Sequence, residues 1–171
     1  MNDGHGNFIN SGQQLGDIVG YESVSCGDID GDGDLDLVVS NSQKGVRVFS
    51  NLSNTGTFSE TQPYFGQGSN LCKLFDADVD GDLDLITAHS QEGNLLWINN
   101  GTGNFDLIGA VFGTMKVFAV DCADFDGDNS FDVVFGQLEG TGGNSVYFNK
   151  STLSTVSEFS QKTSPNFYLV Q

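Results

Sequence analysis

Three short stretches of this chain place aspartates at every second position, a spacing that suits a hard divalent cation. The first reads Asp28-Ile29-Asp30-Gly31-Asp32-Gly33-Asp34-Leu35-Asp36. The second reads Asp76-Ala77-Asp78-Val79-Asp80-Gly81-Asp82-Leu83-Asp84. The third reads Asp124-Phe125-Asp126-Gly127-Asp128-Asn129-Ser130-Phe131-Asp132. Alternate side chains of an extended loop point the same way, so such carboxylates converge on one centre. Counted from the first Asp, positions 1, 3 and 5 (Asp28, Asp30, Asp32; Asp76, Asp78, Asp80; Asp124, Asp126, Asp128) offer single carboxylate oxygens. Position 7 (Asp34, Asp82, Ser130) offers its backbone carbonyl, which is available even where the side chain is Ser. Position 9 (Asp36, Asp84, Asp132) is placed to clamp an ion with both oxygens.

Six to eight oxygens at flexible distances are what Ca2+ takes, and about three ions, one per loop, are expected. Magnesium prefers few protein ligands and retained water, and zinc would want the His or Cys that these loops lack. The spacing and the Gly at position 6 are shared with the first half of an EF-hand loop. The Glu at position 12 and the flanking helices of an EF-hand are missing. Asn129 replaces that Gly in the third loop, a tolerated exchange because Asn adopts the left-handed conformation more readily than most residues.

The net charge of −17 is located in these loops. Five of the 23 acids lie in 28–36, five in 76–84 and four in 124–132, which leaves nine acids facing six bases elsewhere. Carboxylates crowded this tightly repel one another unless a cation neutralises them. The same balance makes nucleic acid and anionic membranes poor partners. No apolar run is long enough to span a membrane.

The elements that must hold the loops repeat with them. The loops start at 28, 76 and 124, a period of 48 residues. Each is followed by an apolar strand (Leu37-Val38-Val39, Leu85-Ile86-Thr87, Val133-Val134-Phe135) and a Gly-bearing turn at Gly45, Gly93 or Gly140 to Gly143. A second strand follows (Val46 to Phe49, Leu95 to Ile98, Ser145 to Phe148) and ends in Asn51, Asn99 or Asn149. Gly56-Thr57-Phe58 and Gly103-Asn104-Phe105 open a third strand in two repeats, where the last has Val156-Ser157-Glu158-Phe159 instead. A short apolar stretch, such as Met115 to Val120, precedes each loop. Four short strands per repeat predict an all-β, β-propeller-type array of four-stranded blades. The expected repeats are roughly 20–66, 67–113 and 114–162, forming one domain of about three full blades. Gly6-Asn7-Phe8 matches Gly103-Asn104-Phe105 and predicts an outer strand within 1–19. Phe167-Tyr168-Leu169-Val170-Gln171 predicts an inner, pre-loop strand within 163–171. Since closed propellers use about four to eight blades, the expectation is a piece of a longer array or a chain that completes itself by self-association, a homo-oligomer.

The Asp ladder ending in Leu, followed by Asn99-Asn100-Gly101-Thr102-Gly103-Asn104-Phe105, resembles the FG-GAP/VCBS repeat of integrin α-like propellers. That resemblance covers nearly the whole chain. It implies a loop that joins the first two strands of each blade and binds calcium structurally. It also implies protein or carbohydrate recognition, adhesion and an extracellular or cell-surface setting, although the chain begins without a signal peptide. It implies no single activity, because the repeat occurs in lectins, lyases and adhesins alike.

The residues favour a non-enzymatic module over two rivals, a self-assembling structural protein and a non-catalytic part of a larger secreted carbohydrate-active enzyme. Catalysis needs a base with a partner. His5 and His89 are the only histidines; His89 reads as a lone surface residue and Asp121 as an isolated acid. Cys26, Cys72 and Cys122 form neither a disulfide framework nor a zinc motif and read as small buried strand residues. Trp97, Tyr147, Phe49, Ile98 and Phe148 read as blade core. The sequons at Asn51, Asn100 and Asn149 follow from turn chemistry.

Overall fold

The computed structural model describes residues 4–16, 20, 22–89, 93–110, 112, 116–137, 143–150 and 167–169. Within them the chain forms twelve strands and no helix: β1 (Glu22–Gly27), β2 (Asp36–Asn41), β3 (Gly45–Asn51), β4 (Phe58–Glu60), β5 (Ser69–Phe75), β6 (Asp84–His89), β7 (Asn94–Asn99), β8 (Phe105–Ala110), β9 (Val117–Ala123), β10 (Asp132–Gln137), β11 (Ser145–Asn149) and β12 (Phe167–Leu169). They assemble into three four-stranded sheets, β1-β2-β3-β4, β5-β6-β7-β8 and β9-β10-β11-β12. Every pairing is antiparallel between neighbours in sequence, so each sheet is a meander of the kind that makes a propeller blade.

The middle blade shows why its strands read as continuous apolar runs rather than as an alternation. Every residue of β6 and β7 is buried, because both faces of the sheet are covered. Leu85, Leu95 and Trp97 face the first blade, where they join Ile29, Val38, Val46 and Val48 in one core. Ile86, Ala88, Leu96 and Ile98 face the third blade and meet Val133, Phe135 and Tyr147 in a second. Aromatic edges fill the seams: Phe65 lies 4.9 Å from Trp97, and Phe112 lies 5.2 Å from both Phe135 and Tyr147. Each such buried side chain contributes about 1.5–3 kcal/mol by leaving water.

Several sequence expectations change on folding. Residues 4–16 form no strand; Phe8 stays 82% exposed, and the segment meets the first blade through Gln13, which bonds Gly56 and Phe58. Phe167–Leu169 is the fourth strand of the third blade rather than an inner strand of a next one. It pairs with β11 and satisfies the backbone groups of that edge. The Val156 to Phe159 stretch and the Gly140 to Gly142 turn lie outside the described residues. His89 is 3% exposed, held by Ser69 and Thr87 hydroxyls at 3.2 and 3.0 Å, with the Trp97 indole N–H donating to the same Thr87. Asp121 is an ion-pair partner of Lys73 at 2.8 Å, and that ammonium holds its carboxyl below the usual range. Cys72 is buried, but Cys122 is only partly covered and Cys26 is exposed. No helix among the described residues is long and apolar enough to cross a membrane.

Candidate metal centres

All three Asp loops connect the first strand of a blade to the second: β1 to β2, β5 to β6 and β9 to β10. Their backbones are fixed by the aspartates themselves. At position 1, Asp28 accepts N–H bonds from Gly31 and Gly33 at 2.9 and 3.0 Å. Asp76 accepts from Asp80 and Gly81, and Asp124 from Gly127, Asp128 and Asn129. At position 5, Asp32, Asp80 and Asp128 each accept the N–H two residues on. Position 6 is left-handed throughout, with φ of 90° at Gly33, 97° at Gly81 and 69° at Asn129, as the exchange in the third loop required. Position 4 is left-handed too, comfortably at Gly31 and Gly127 but with φ of 63° at Val79, where a β-branched side chain is strained.

Position 9 has a structural task that the spacing did not reveal. Asp84 is fully buried; one oxygen accepts the N–H of Ala77 at 2.8 Å and the other that of Asn99 at 2.8 Å. Asp36 does the same with Ile29 and Asn51, and Asp132 with Phe125 and Asn149. Each therefore ties its loop to the end of the third strand of its own blade. A carboxylate oxygen has lone pairs to spare after one such bond, so these groups can still face an ion.

The asparagines that end those strands reach further. Asn99 donates to Ile29 O in the first loop at 2.7 Å, and Asn149 donates to Ala77 O in the second at 2.7 Å. The first and second loops are thus held by their own blade at position 9 and by the following blade at position 2. The recurrence of Asn at 51, 99 and 149 was the available signal for this bond. Since Asn51 is 7% exposed and Asn149 is fully buried, only Asn100 of the three sequons lies on the surface.

The folded loops bring carboxylates together in three groups whose candidate ligand oxygens lie within 4.8 Å of one another: Asp28, Asp30 and Asp32; Asp76, Asp78 and Asp84; Asp124, Asp126 and Asp132. Each group could hold a metal ion. Asp34, Asp36, Asp80, Asp82 and Asp128 belong to the same loops but lie outside these groups. A pocket of about 170 Å³ adjoins the first loop, walled by Asp30, Asp36, Gln62 and the Thr102 to Asn104 turn of the next blade.

The second group is the most enclosed. Burial pushes Asp84 up to about 7, with the charges of Asp78 and Asp80 adding to it and the N–H groups of Asn99 and Ala77 opposing it. Asp78 is pushed up to about 6, first by burial and then by the charge of Asp80. Asp76 and Asp30 are raised too, both mainly by burial. The third loop runs the other way at Asp128, held low by the Ser130 N–H and by Lys150. Asp78 Oδ1 is buried without a hydrogen-bond partner. A buried, undonated carboxylate oxygen is costly unless a cation meets it.

Comparison with protein families returns two matches on this scaffold. Residues 76–135 match an FG-GAP-like repeat, and residues 20–58 match an FG-GAP repeat. The chain is an FG-GAP repeat protein. The 76–135 match runs from the second Asp loop to β10 beyond the third, and the 20–58 match spans β1 to β3 with the first Asp loop between β1 and β2. No curated protein sequence matches the chain.

Proposed function

We propose that this FG-GAP chain is a non-enzymatic recognition module whose blades are stapled by Ca2+, one ion in each Asp loop. The observation that carries the reading is the second loop, where Asp78 Oδ1 is buried without a donor among Asp76, Asp78 and Asp84. The donor set is all oxygen, with carboxylates and carbonyls available in number, which is calcium chemistry. The residues that would hold the ion are Asp28, Asp30, Asp32 and Asp36 in the first loop, and their counterparts in the others, with carbonyl oxygens at position 7. The ion would supply positive charge that cancels the repulsion among these carboxylates. The protein's own contribution is to aim them: position 1 shapes the loop, and position 9 joins it to the third strand.

Binding that is confined to the folded chain stabilises it by mass action. The test is a thermal melt with and without chelator, with isothermal titration of CaCl2 into the stripped protein. The midpoint should drop in EDTA and recover with Ca2+. An unchanged midpoint, with no heat on titration, sinks the reading. An extracellular or cell-surface setting accords with the family. Recognition of a protein or glycan is the expected role, and a non-catalytic one accords with His89 lying inside the middle blade. Turnover on a glycan panel would overturn it.

One observation favours self-association as a second reading. At loop position 2, Ile29 and Ala77 are buried beneath the following blade, but Phe125 is 50% exposed and Phe118 on β9 is 62% exposed. A second copy that covered this face would extend the array. Light scattering in calcium should show a species larger than the monomer, and Phe125→Asp should return it to monomer. A strictly monomeric protein refutes this.

A further inference from the structure

The third loop differs from the other two in one residue that lies outside its Asp ladder. Lys150 directly follows Asn149, at the position held by Leu52 and Asn100 in the other blades. Its Nζ forms an ion pair with Asp126 Oδ2 and lies 3.5 Å from Asp128 Oδ2, and its ammonium sits 5.3 Å from the Phe148 ring centroid. The placement is anchored. The neighbouring Asn149 is bonded through its N–H to Asp132 at 2.9 Å and through its side chain to Ala77 O at 2.7 Å, so the base of Lys150 is fixed at the rim of the loop. Asp126 belongs to the group that could hold a metal, whereas Asp128 stands beside it.

We propose that Lys150 is a built-in counter-cation of the third loop, competing with Ca2+ for Asp126 and Asp128, so that this loop is the weakest of the three ion sites. Counting the lysine, the third loop carries a net −3, where the first and second each carry −5. A divalent ion entering the third loop meets less negative charge and must displace an ammonium from two carboxylates. The equivalent positions of the first two loops, Leu52 and Asn100, carry no cation. The consequence is graded: the third blade keeps its loop partly neutralised when calcium is scarce, while the first two depend on the ion.

This rests on the calcium reading, and the experiment separates the two. CaCl2 is titrated calorimetrically into stripped wild-type protein, Lys150→Gln and Asp126→Asn, and each is melted in EDTA and in excess Ca2+. Wild type should show one class of site weaker than the others. Lys150→Gln should tighten that class by about threefold to tenfold, the scale of two exposed ion pairs. Asp126→Asn should weaken or abolish the same class. In EDTA, Lys150→Gln should melt below wild type, and in excess Ca2+ that deficit should shrink or reverse. A lysine that merely supports the fold would lower both midpoints equally, and that result overturns the proposal. So does a weakest class that ignores Lys150→Gln, or three equal classes in wild type, with calcium binding itself intact. No binding of Ca2+ by any variant would remove the calcium reading and this proposal with it.

Discussion

Replacing Asn99 with alanine tests the idea that the first Asp loop is held by the blade that follows it. The Asn99 amide is fully buried and makes four bonds. It donates to Ile29 O at 2.7 Å and Leu83 O at 3.1 Å, and it accepts the N–H groups of Gly101 and Gly103 at 3.2 and 3.1 Å. A net contribution of about 0.5–1.5 kcal/mol per bond, with buried partners left unsatisfied, gives an expected loss of about 3–4 kcal/mol. Asn51 is the control, because it occupies the same strand position and its side chain accepts the Gly56 N–H at 3.0 Å without reaching another loop. Asn51→Ala should cost about 1 kcal/mol. Urea unfolding of the two variants in calcium-saturated buffer measures the difference, provided that the m-values match wild type. If Asn99→Ala costs under 1 kcal/mol, or no more than Asn51→Ala, the cross-blade bond is incidental and the reasoning fails.

Three further outcomes follow from particular residues. Asp78 and Asp84 are raised to about 6 and about 7 from 3.8, so the fold binds their protons more tightly than the unfolded chain does. Their contribution is present at about pH 4 and lost as pH rises through about 7, so the midpoint in EDTA should fall over that window. Excess Ca2+ should flatten or invert the trend, and a midpoint in EDTA that rises from pH 5 to pH 8 would contradict it. Val79→Gly should raise stability by about 1 kcal/mol, since Gly31 and Gly127 already occupy the same left-handed position; a destabilised variant in urea would show that Val79 is unstrained. Asn94 is fully buried and neither of its amide atoms has a hydrogen-bond partner, whereas Val46 fills the same position in the first blade. Asn94→Val should therefore add about 1–2 kcal/mol, read by the same unfolding curves; a loss would mean that the amide has a role in the seam.

What the sequence revealed well is what is local. The Asp ladder spans nine residues, so its residue types and spacing carried the loop geometry directly, down to Asn129 standing in for glycine with φ of 69°. The meander was legible for the same reason, because each strand pairs with its neighbour in the chain. Local likeness misled where a partner was needed: Gly6-Asn7-Phe8 copies Gly103-Asn104-Phe105, yet residues 4–16 form no strand. Phe167–Leu169 read as an inner strand because its apolar pattern fits either edge, and the open side of β11 decided.

The sequence by itself determined the repeat, the blade and the three acidic loops, since their causes lie within about ten residues of one another. Only the tertiary structure decided how those loops are held and how they differ. The bond from Asn99 to Ile29 spans 70 residues and that from Asn149 to Ala77 spans 72. Lys150 meets Asp126 across 24. The two asparagine contacts arise when sheets stack and the lysine contact when β11 folds back beside the β9–β10 loop, and neither distance is encoded by spacing along the chain. The burial that raises Asp78 and Asp84, and leaves Asp78 Oδ1 without a donor, comes from the same stacking.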